Sequence, residues 1–214
     1  MRIITEEQKS LLELFNKNDP SSPRPEVEAV KLNGLINTAL RCSKCSLRSG
    51  CSQVVFGEGN PQARLMLVGE APGSDEDRLG RPFVGRAGQL LDRILEAANI
   101  ERKEIYITNV VKCRPPANRM PSQAEVESCR PYLTEQLELV KPKIVVCLGA
   151  LATRNLIDRN TSITRVRGQW HQKGSHHLIA TFHPAALLRD PGKKKPVWED
   201  FKQVMRYYHD HQGG

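Results

Sequence analysis

The sequence predicts an α/β protein, a three-layer α/β/α sandwich around a four-stranded parallel sheet. Three observations carry that expectation. Short apolar runs at 65–68, 105–109, 144–148 and 178–182 read as buried strands. Helical patterns at 89–98, 123–139, 150–160 and 197–209 separate or follow them, and such alternation implies parallel strands with right-handed crossovers and helices on both faces. Finally, Gly69-Glu70, Asn109, Gly149 and His183-Pro184 all fall at or just past the carboxyl end of an expected strand. In a parallel sheet those ends share one edge, so the loops converge on the crevice where open α/β sheets bind ligands.

Before the first strand the chain reads differently. An amphipathic helix is expected at 5–17, with Leu11, Leu12, Leu14 and Phe15 apolar, then a Pro/Ser-rich linker at 18–24 and a second helix at 26–40. Residues 1–40 are therefore expected to be a helical appendage, and 41–214 the α/β domain. With 39% hydrophobic and 26% charged residues the chain can bury a core and stay soluble. No apolar run approaches the roughly 20 residues of a membrane helix. The first residues lack the apolar segment of an export signal, so a cytoplasmic location is expected. A net charge of +8 suits a polyanionic partner, since lysine and arginine gain affinity by releasing counterions from phosphates; a basic, solvent-facing surface is the plainer alternative.

Six cysteines without an export signal point to metal or redox chemistry rather than disulfides. Cys42 and Cys45 form C-x2-C, and Cys113 and Cys129 form C-x15-C. Four such thiolates suit either a [4Fe–4S] cluster or structural zinc, and spacing does not separate the two. Cys51 is a competing ligand by proximity. Cys147, inside an apolar strand, reads as a small buried hydrophobe.

The motifs lie at the strand ends. After the first strand the chain breaks at Gly69-Glu70-Ala71-Pro72-Gly73, where glycines and a proline force a turn carrying a carboxylate. An acidic stretch, Asp75-Glu76-Asp77, precedes Arg81-Pro82-Phe83-Val84-Gly85-Arg86-Ala87-Gly88, which holds an aromatic ring on a stiff loop. Asn109 closes the second strand. After the fourth come Phe182-His183-Pro184-Ala185-Ala186-Leu187-Leu188-Arg189 and Lys193-Lys194-Lys195. Each has an ordinary reading as well: a capping or salt-bridged Glu70, a core Phe83, a turn asparagine, a solvated charge run.

Together these stretches resemble motifs A and B of the uracil-DNA glycosylase superfamily, and most of all family 4, the iron–sulfur uracil-DNA glycosylases. The resemblance runs from Cys42 to Tyr208. It implies a monofunctional glycosylase that flips uracil from single- or double-stranded DNA and leaves an abasic site, acting as a monomer. It implies a [4Fe–4S] cluster on Cys42, Cys45, Cys113 and Cys129. Glu70 matches the catalytic acidic position, where a carboxylate stabilises an oxocarbenium-like sugar and positions water. His183 would donate to O2 of the departing base. Ala71, Glu76, Phe83 and Asn109 would form the base site, Phe83 stacking and Asn109 pairing with the O4 and N3–H edge, a pattern that cytosine reverses.

Leu187, Arg189, Lys193 and Lys194 would meet the DNA, an apolar wedge filling the space of the flipped base while cations meet phosphates. A sister branch traps uracil covalently through a histidine in the loop after the second strand. Here that loop, 113–121, has no histidine, and His171 belongs to a later loop, so multiple turnover is expected. The rival readings are a superfamily member with another base preference, a non-catalytic iron–sulfur DNA-binding module, and a zinc-stapled nucleotide-binding protein.

Overall fold

The computed structural model describes residues 25–210; the helix expected at 5–17 and the linker at 18–24 lie outside the described residues. The chain begins with α1 (Pro25–Leu40) and a single turn α2 (Leu47–Gly50), then β1 (Glu58–Gly59), β2 (Leu65–Gly69), α3 (Ser74–Leu79) and α4 (Arg86–Ala97). Next come β3 (Tyr106–Asn109), α5 (Gln123–Val140), β4 (Ile144–Leu148), α6 (Ala150–Leu156) and α7 (Ile163–Val166). It ends with the hairpin strands β5 (Trp170–Lys173) and β6 (His176–Thr181), a short α8 (Pro184–Arg189) and α9 (Lys194–Asp210). No helix among the described residues is long and apolar enough to cross a membrane.

The strands form one sheet in the order β1-β3-β2-β4-β6-β5. The four expected strands are its centre, β3, β2, β4 and β6, all parallel. The sheet is nevertheless wider than expected, because β1 and β5 add antiparallel edges. Neither had a strand signature. β1 is two residues long, with glycines at positive φ on either side of Glu58, and β5 is a polar stretch turned back onto β6 through Gly174 at φ 58. His171, expected in a loop, therefore stands in a strand.

Alternation along the strands makes the layers. Leu65 and Leu67 of β2 face one core, with Leu91, Leu95, Phe201 and Val204 from α4 and α9. Met66 and Val68 face the other, with Val126 and Leu133 from α5 and Leu151 from α6. Such two-sided burial is what an all-apolar parallel strand requires. Helix α1 buries Leu32, Leu35 and Ala39 into the second core.

One buried carboxylate fastens the loop before α5. Glu125 closes a capping box with Ser122, accepting from the Ser122 N–H at 2.7 Å while its own N–H donates to Ser122 Oγ at 3.3 Å. Arg119 donates both guanidinium nitrogens to it, at 2.8 and 2.7 Å, and Ser46 Oγ adds a third contact at 3.3 Å from the segment beside Cys45. Arg119 and these donors hold the carboxyl down at about 2. Glu125→Ala is expected to cost roughly 1–3 kcal/mol at neutral pH, read by urea unfolding. Because the folded-state pKa is depressed, wild type should hold that advantage above the ordinary carboxylate value near 4.5 and lose it progressively as pH falls from there to about 2.

Candidate functional site

The carboxyl ends of β2, β3 and β6 open into a crevice of about 510 Å³. Its geometry follows from strand pairing. Gly69 pairs with Asn109 in parallel register, and the pairing continues past the strands: the N–H groups of Val110 and Val111 donate to the carbonyls of Gly69 and Glu70 at 3.0 and 3.2 Å. Glu70 and Asn109 are thereby fixed as neighbours. Across the crevice, the Gly149 N–H donates to the Thr181 carbonyl at 2.8 Å, which sets where the chain leaves β6 and delivers His183.

The Glu70 carboxylate is half-buried on the crevice wall and takes no hydrogen bond from the described residues. Burial raises its pKa above the ordinary carboxylate value, while the charges of Arg154 and Arg189 pull it back. Asn109 is 1% exposed, and its Oδ1 is buried without a partner. Buried amide oxygens are normally satisfied, so an orphan on a residue that lines the crevice marks a place for a ligand N–H. Gly69 keeps that space open: a Cβ there would lie 2.3 Å from Asn109 Oδ1 and 2.6 Å from Phe83 Cζ.

His183 caps α8, its Nδ1 accepting from the Ala185 N–H at 3.1 Å. An accepting Nδ1 bears no proton, so the neutral ring carries its proton on Nε2. Burial and the Arg189 charge lower its pKa to about 4, which keeps it neutral at neutral pH. The ring stacks on Phe83, centroids 5.4 Å apart. His183 is thus an uncharged N–H donor across the crevice from Glu70 and Asn109.

Phe83 lines the crevice but is largely buried, at a strained φ of 51. Two side chains hold the strain. Arg102 donates to the carbonyls of Pro82 and Phe83 at 2.7 and 3.2 Å, while pairing with Glu58 and Asp92. Glu76 Oε1 accepts from the N–H groups of Val84 and Gly85 at 2.8 Å each, and its Oε2 accepts from Gly73 N–H at 3.1 Å. The expectation that Glu76 contacts substrate therefore needs correcting. Although it borders the crevice, both its oxygens are engaged by backbone, and it ties the two halves of the loop together. Its neighbour Asp77 is buried and accepts from the Ser52 and Gln53 N–H groups, so of the acidic stretch only Asp75 is solvated. Ala71 lies on the wall beside Glu70.

At the mouth, Leu187, expected to meet the DNA, is turned into the core. Leu187 is 2% exposed and belongs to the α4/α9 core, whereas Leu188 is 39% exposed. The turn of α8 sends one leucine inward and the next outward. Arg189 lines the crevice. Lys194 is exposed at the start of α9, while Lys193 is engaged with Asp190 at 2.7 Å and lies 5.6 Å from the Phe182 ring centroid. The opposite lip, Asn118-Arg119-Met120, escaped sequence reasoning; Met120 is 50% exposed there.

Cys42, Cys45, Cys113 and Cys129 line a single small cavity with Leu47, Val54, Val111 and Tyr132. Among the described residues, no group of three or more His, Cys, Asp or Glu side chains is already placed to hold a metal ion. The cavity is linked to the crevice through the chain that follows β3. Cys113 lies four residues past Asn109, and Cys129 Sγ accepts from the Lys112 N–H at 3.3 Å. Cys51 lies close enough to Cys113 to help raise its pKa. Cys147 is fully buried in β4.

The uracil DNA glycosylase superfamily model matches residues 56–202. A type-4 uracil-DNA glycosylase of Sulfurisphaera tokodaii is 45% identical over 174 residues, 77% of this chain and 79% of that protein. One of Archaeoglobus fulgidus is 43% identical over 183 residues, 81% and 91% of the two. A type-5 uracil-DNA glycosylase of Pyrobaculum aerophilum is 34% identical over 165 residues, 69% of this chain and 72% of that protein.

The electrostatics can be checked by titration. Imidazole ¹⁵N shifts should show His183 as the Nε2–H tautomer and neutral down to about 4. Arg189→Ala should raise the pKa of both His183 and Glu70, because the guanidinium favours neutral imidazole and ionised carboxylate alike.

Proposed function

Because the chain belongs to the uracil DNA glycosylase superfamily, we propose that it is a type-4 uracil-DNA glycosylase, a DNA-repair hydrolase that releases uracil from DNA and leaves an abasic site. The observation that carries the reading at the level of residues is the orphaned Asn109 Oδ1. A flipped uracil offers N3–H to that oxygen and O4 to the amide N–H. Cytosine would turn the N3 lone pair towards it and leave a buried acceptor facing an acceptor.

Around that base the remaining groups take complementary tasks. The Nε2–H of neutral His183 donates to O2 as the base departs with negative charge. A neutral donor loses no proton on holding an anion, and a buried site strengthens the bond. Ionised Glu70 faces the sugar, stabilises its oxocarbenium character and orients the attacking water. The absence of a hydrogen bond to Glu70 among the described residues leaves its lone pairs free for that water. Phe83 backs the base and His183 through the ring stack. With no lysine among the described residues that line the crevice, the reaction stops at the abasic site. With no histidine in 113–121, product is released rather than trapped.

Four thiol side chains on one apolar cavity fit an iron–sulfur group. A single tetrahedral zinc, with Zn–S near 2.3 Å, would draw its sulfurs to within about 3.8 Å of one another. The likeness to the type-4 enzymes, rather than the spacing of the thiols, favours the [4Fe–4S] cluster over such a zinc. Cys42, Cys45, Cys113 and Cys129 would hold a [4Fe–4S] cluster that ties α2, the 113–121 loop and α5 together, a structural service outside the hydrolysis. Exposed Leu188, rather than Leu187, fills the gap left by the flipped base. Arg189 and Lys194 meet phosphates, and Lys193 joins them after giving up Asp190. The protein works as a monomer in the cytoplasm and accepts uracil in single- or double-stranded DNA.

The test is release of free uracil from a uracil-containing oligonucleotide by the brown, cluster-loaded protein. Glu70→Ala should slow release by about 10²–10⁴-fold. His183→Ala should slow it by about 10²–10³-fold. Asn109→Asp should lose uracil or begin to accept cytosine. Binding of the oligonucleotide by loaded wild type without any base release would leave a DNA-binding module in place of the enzyme.

A further inference from the structure

Lys112 is the largest fully buried side chain of the described residues, 2% exposed overall. It sits in an apolar run, Val110-Val111-Lys112-Cys113, between the crevice and the cysteine cavity. Its three ammonium protons have three acceptors: Thr108 Oγ1 at 2.7 Å, the Asn109 carbonyl at 2.7 Å and Gln136 Oε1 at 2.6 Å. The acceptors are themselves braced. Thr108 Oγ1 donates to the Phe56 carbonyl at 2.8 Å, and Gln136 Nε2 donates to the same carbonyl at 2.9 Å and to Tyr106 Oη at 3.2 Å. The cage is complete as a hydrogen-bond network, yet every acceptor in it is neutral.

A buried ammonium without a counter-charge is costly: burial pushes the Lys112 pKa down to about 7, with the Cys129 sulfur pulling it back up, and no carboxylate among the described residues pairs with it. The negative groups at hand are sulfurs. The Lys112 N–H bonds Cys129 Sγ at 3.3 Å, and Cys113 is the next residue. Four thiolates on an iron–sulfur cluster carry net negative charge, and a low-dielectric surround lets that charge act on the ammonium.

We propose that Lys112 is a positioning residue that couples the cysteine site to the base-reading amide, its ammonium clamping the Asn109 carbonyl and its charge balanced by the cluster thiolates. The proposal rests on the reading of Asn109 and of the four cysteines given above. The clamp fixes the main chain at Asn109, and the strand-end register with Gly69 then fixes where Oδ1 points. Losing the cluster would leave the ammonium without its counter-charge and loosen the same carbonyl. The cluster thereby serves base selection without any electron leaving or entering it.

The experiment uses cluster-loaded Lys112→Met and Thr108→Val, with two readouts besides turnover: affinity for free uracil and the midpoint potential of the cluster. Lys112→Met should bind uracil roughly tenfold more weakly or worse, the scale of a lost charge-assisted hydrogen bond. Its midpoint should move to a more negative potential, because a nearby cation favours the electron-rich cluster. Thr108→Val removes one acceptor and keeps the charge, so it should weaken uracil binding and leave the midpoint in place. A midpoint unmoved in Lys112→Met, or uracil affinity unchanged in either variant, overturns the proposal. If Lys112→Met fails to fold or to load, uracil affinity in Thr108→Val decides alone. A wild-type protein that is colourless, or that binds no uracil, would instead defeat the reading on which the proposal stands and carry the proposal down with it.

Discussion

The crevice depends on the parallel pairing of β2 with β3. Gly69 lies opposite Asn109, and the ladder runs on for two more residues through Val110 and Val111. That register decides which side chain stands beside Glu70. A slip of one residue would turn every side chain of the strand to the other face, burying Thr108 where Asn109 belongs. Both faces of β2 are packed, by Leu65 and Leu67 on one side and Met66 and Val68 on the other, so a slip is resisted along the whole strand. The core holds the register, and the register places the chemistry.

Beyond the strands, side chains replace the ladder. Between α3 and α4 no helix or strand defines Phe83, and its backbone there is strained. Glu76 from inside and Arg102 from outside together take up the N–H and C=O groups around that residue. Gly88 permits the closest approach, since a Cβ there would fall 2.0 Å from the Phe83 carbonyl oxygen. Strain of this kind persists only when several contacts over-determine it. The ring is thus held in place for the His183 stack by side chains that bind the loop's own backbone.

The central sheet was legible because a strand buried on both faces must be apolar throughout, and four such runs stand out. The edges were not, because Glu58–Gly59 is too short for a pattern and Trp170–Lys173 is half-exposed. The polar residues at strand ends were legible for the same reason as the strands: their positions follow from where the apolar runs stop. Leu187 was misplaced because adjacent residues in a six-residue helix have a phase set by its packing on α4, which the local sequence does not contain. Arg102 and Lys112 were missed because their partners are distant, Glu58 for one and Gln136 for the other. A lysine inside Val110-Val111-Lys112-Cys113 was itself a signal, since a cation in an apolar run needs an explanation.

Residues 108–113 concentrate two features that a protein selected only for stability would remove. Asn109 holds a buried oxygen with no partner, and Lys112 a buried charge with no carboxylate. Each costs of the order of 1–3 kcal/mol or more when left uncompensated, a substantial part of a domain's net stability. Leucine and methionine would fill the same space without that cost. Both liabilities are, however, of the kind that a bound group can cancel, an N–H donor at one end and an anionic cluster at the other. If the base and the cluster take those places as proposed, base recognition would be conditional on an intact cysteine site. A hydrophobic core at these positions would be more stable, and it would be blind to the base.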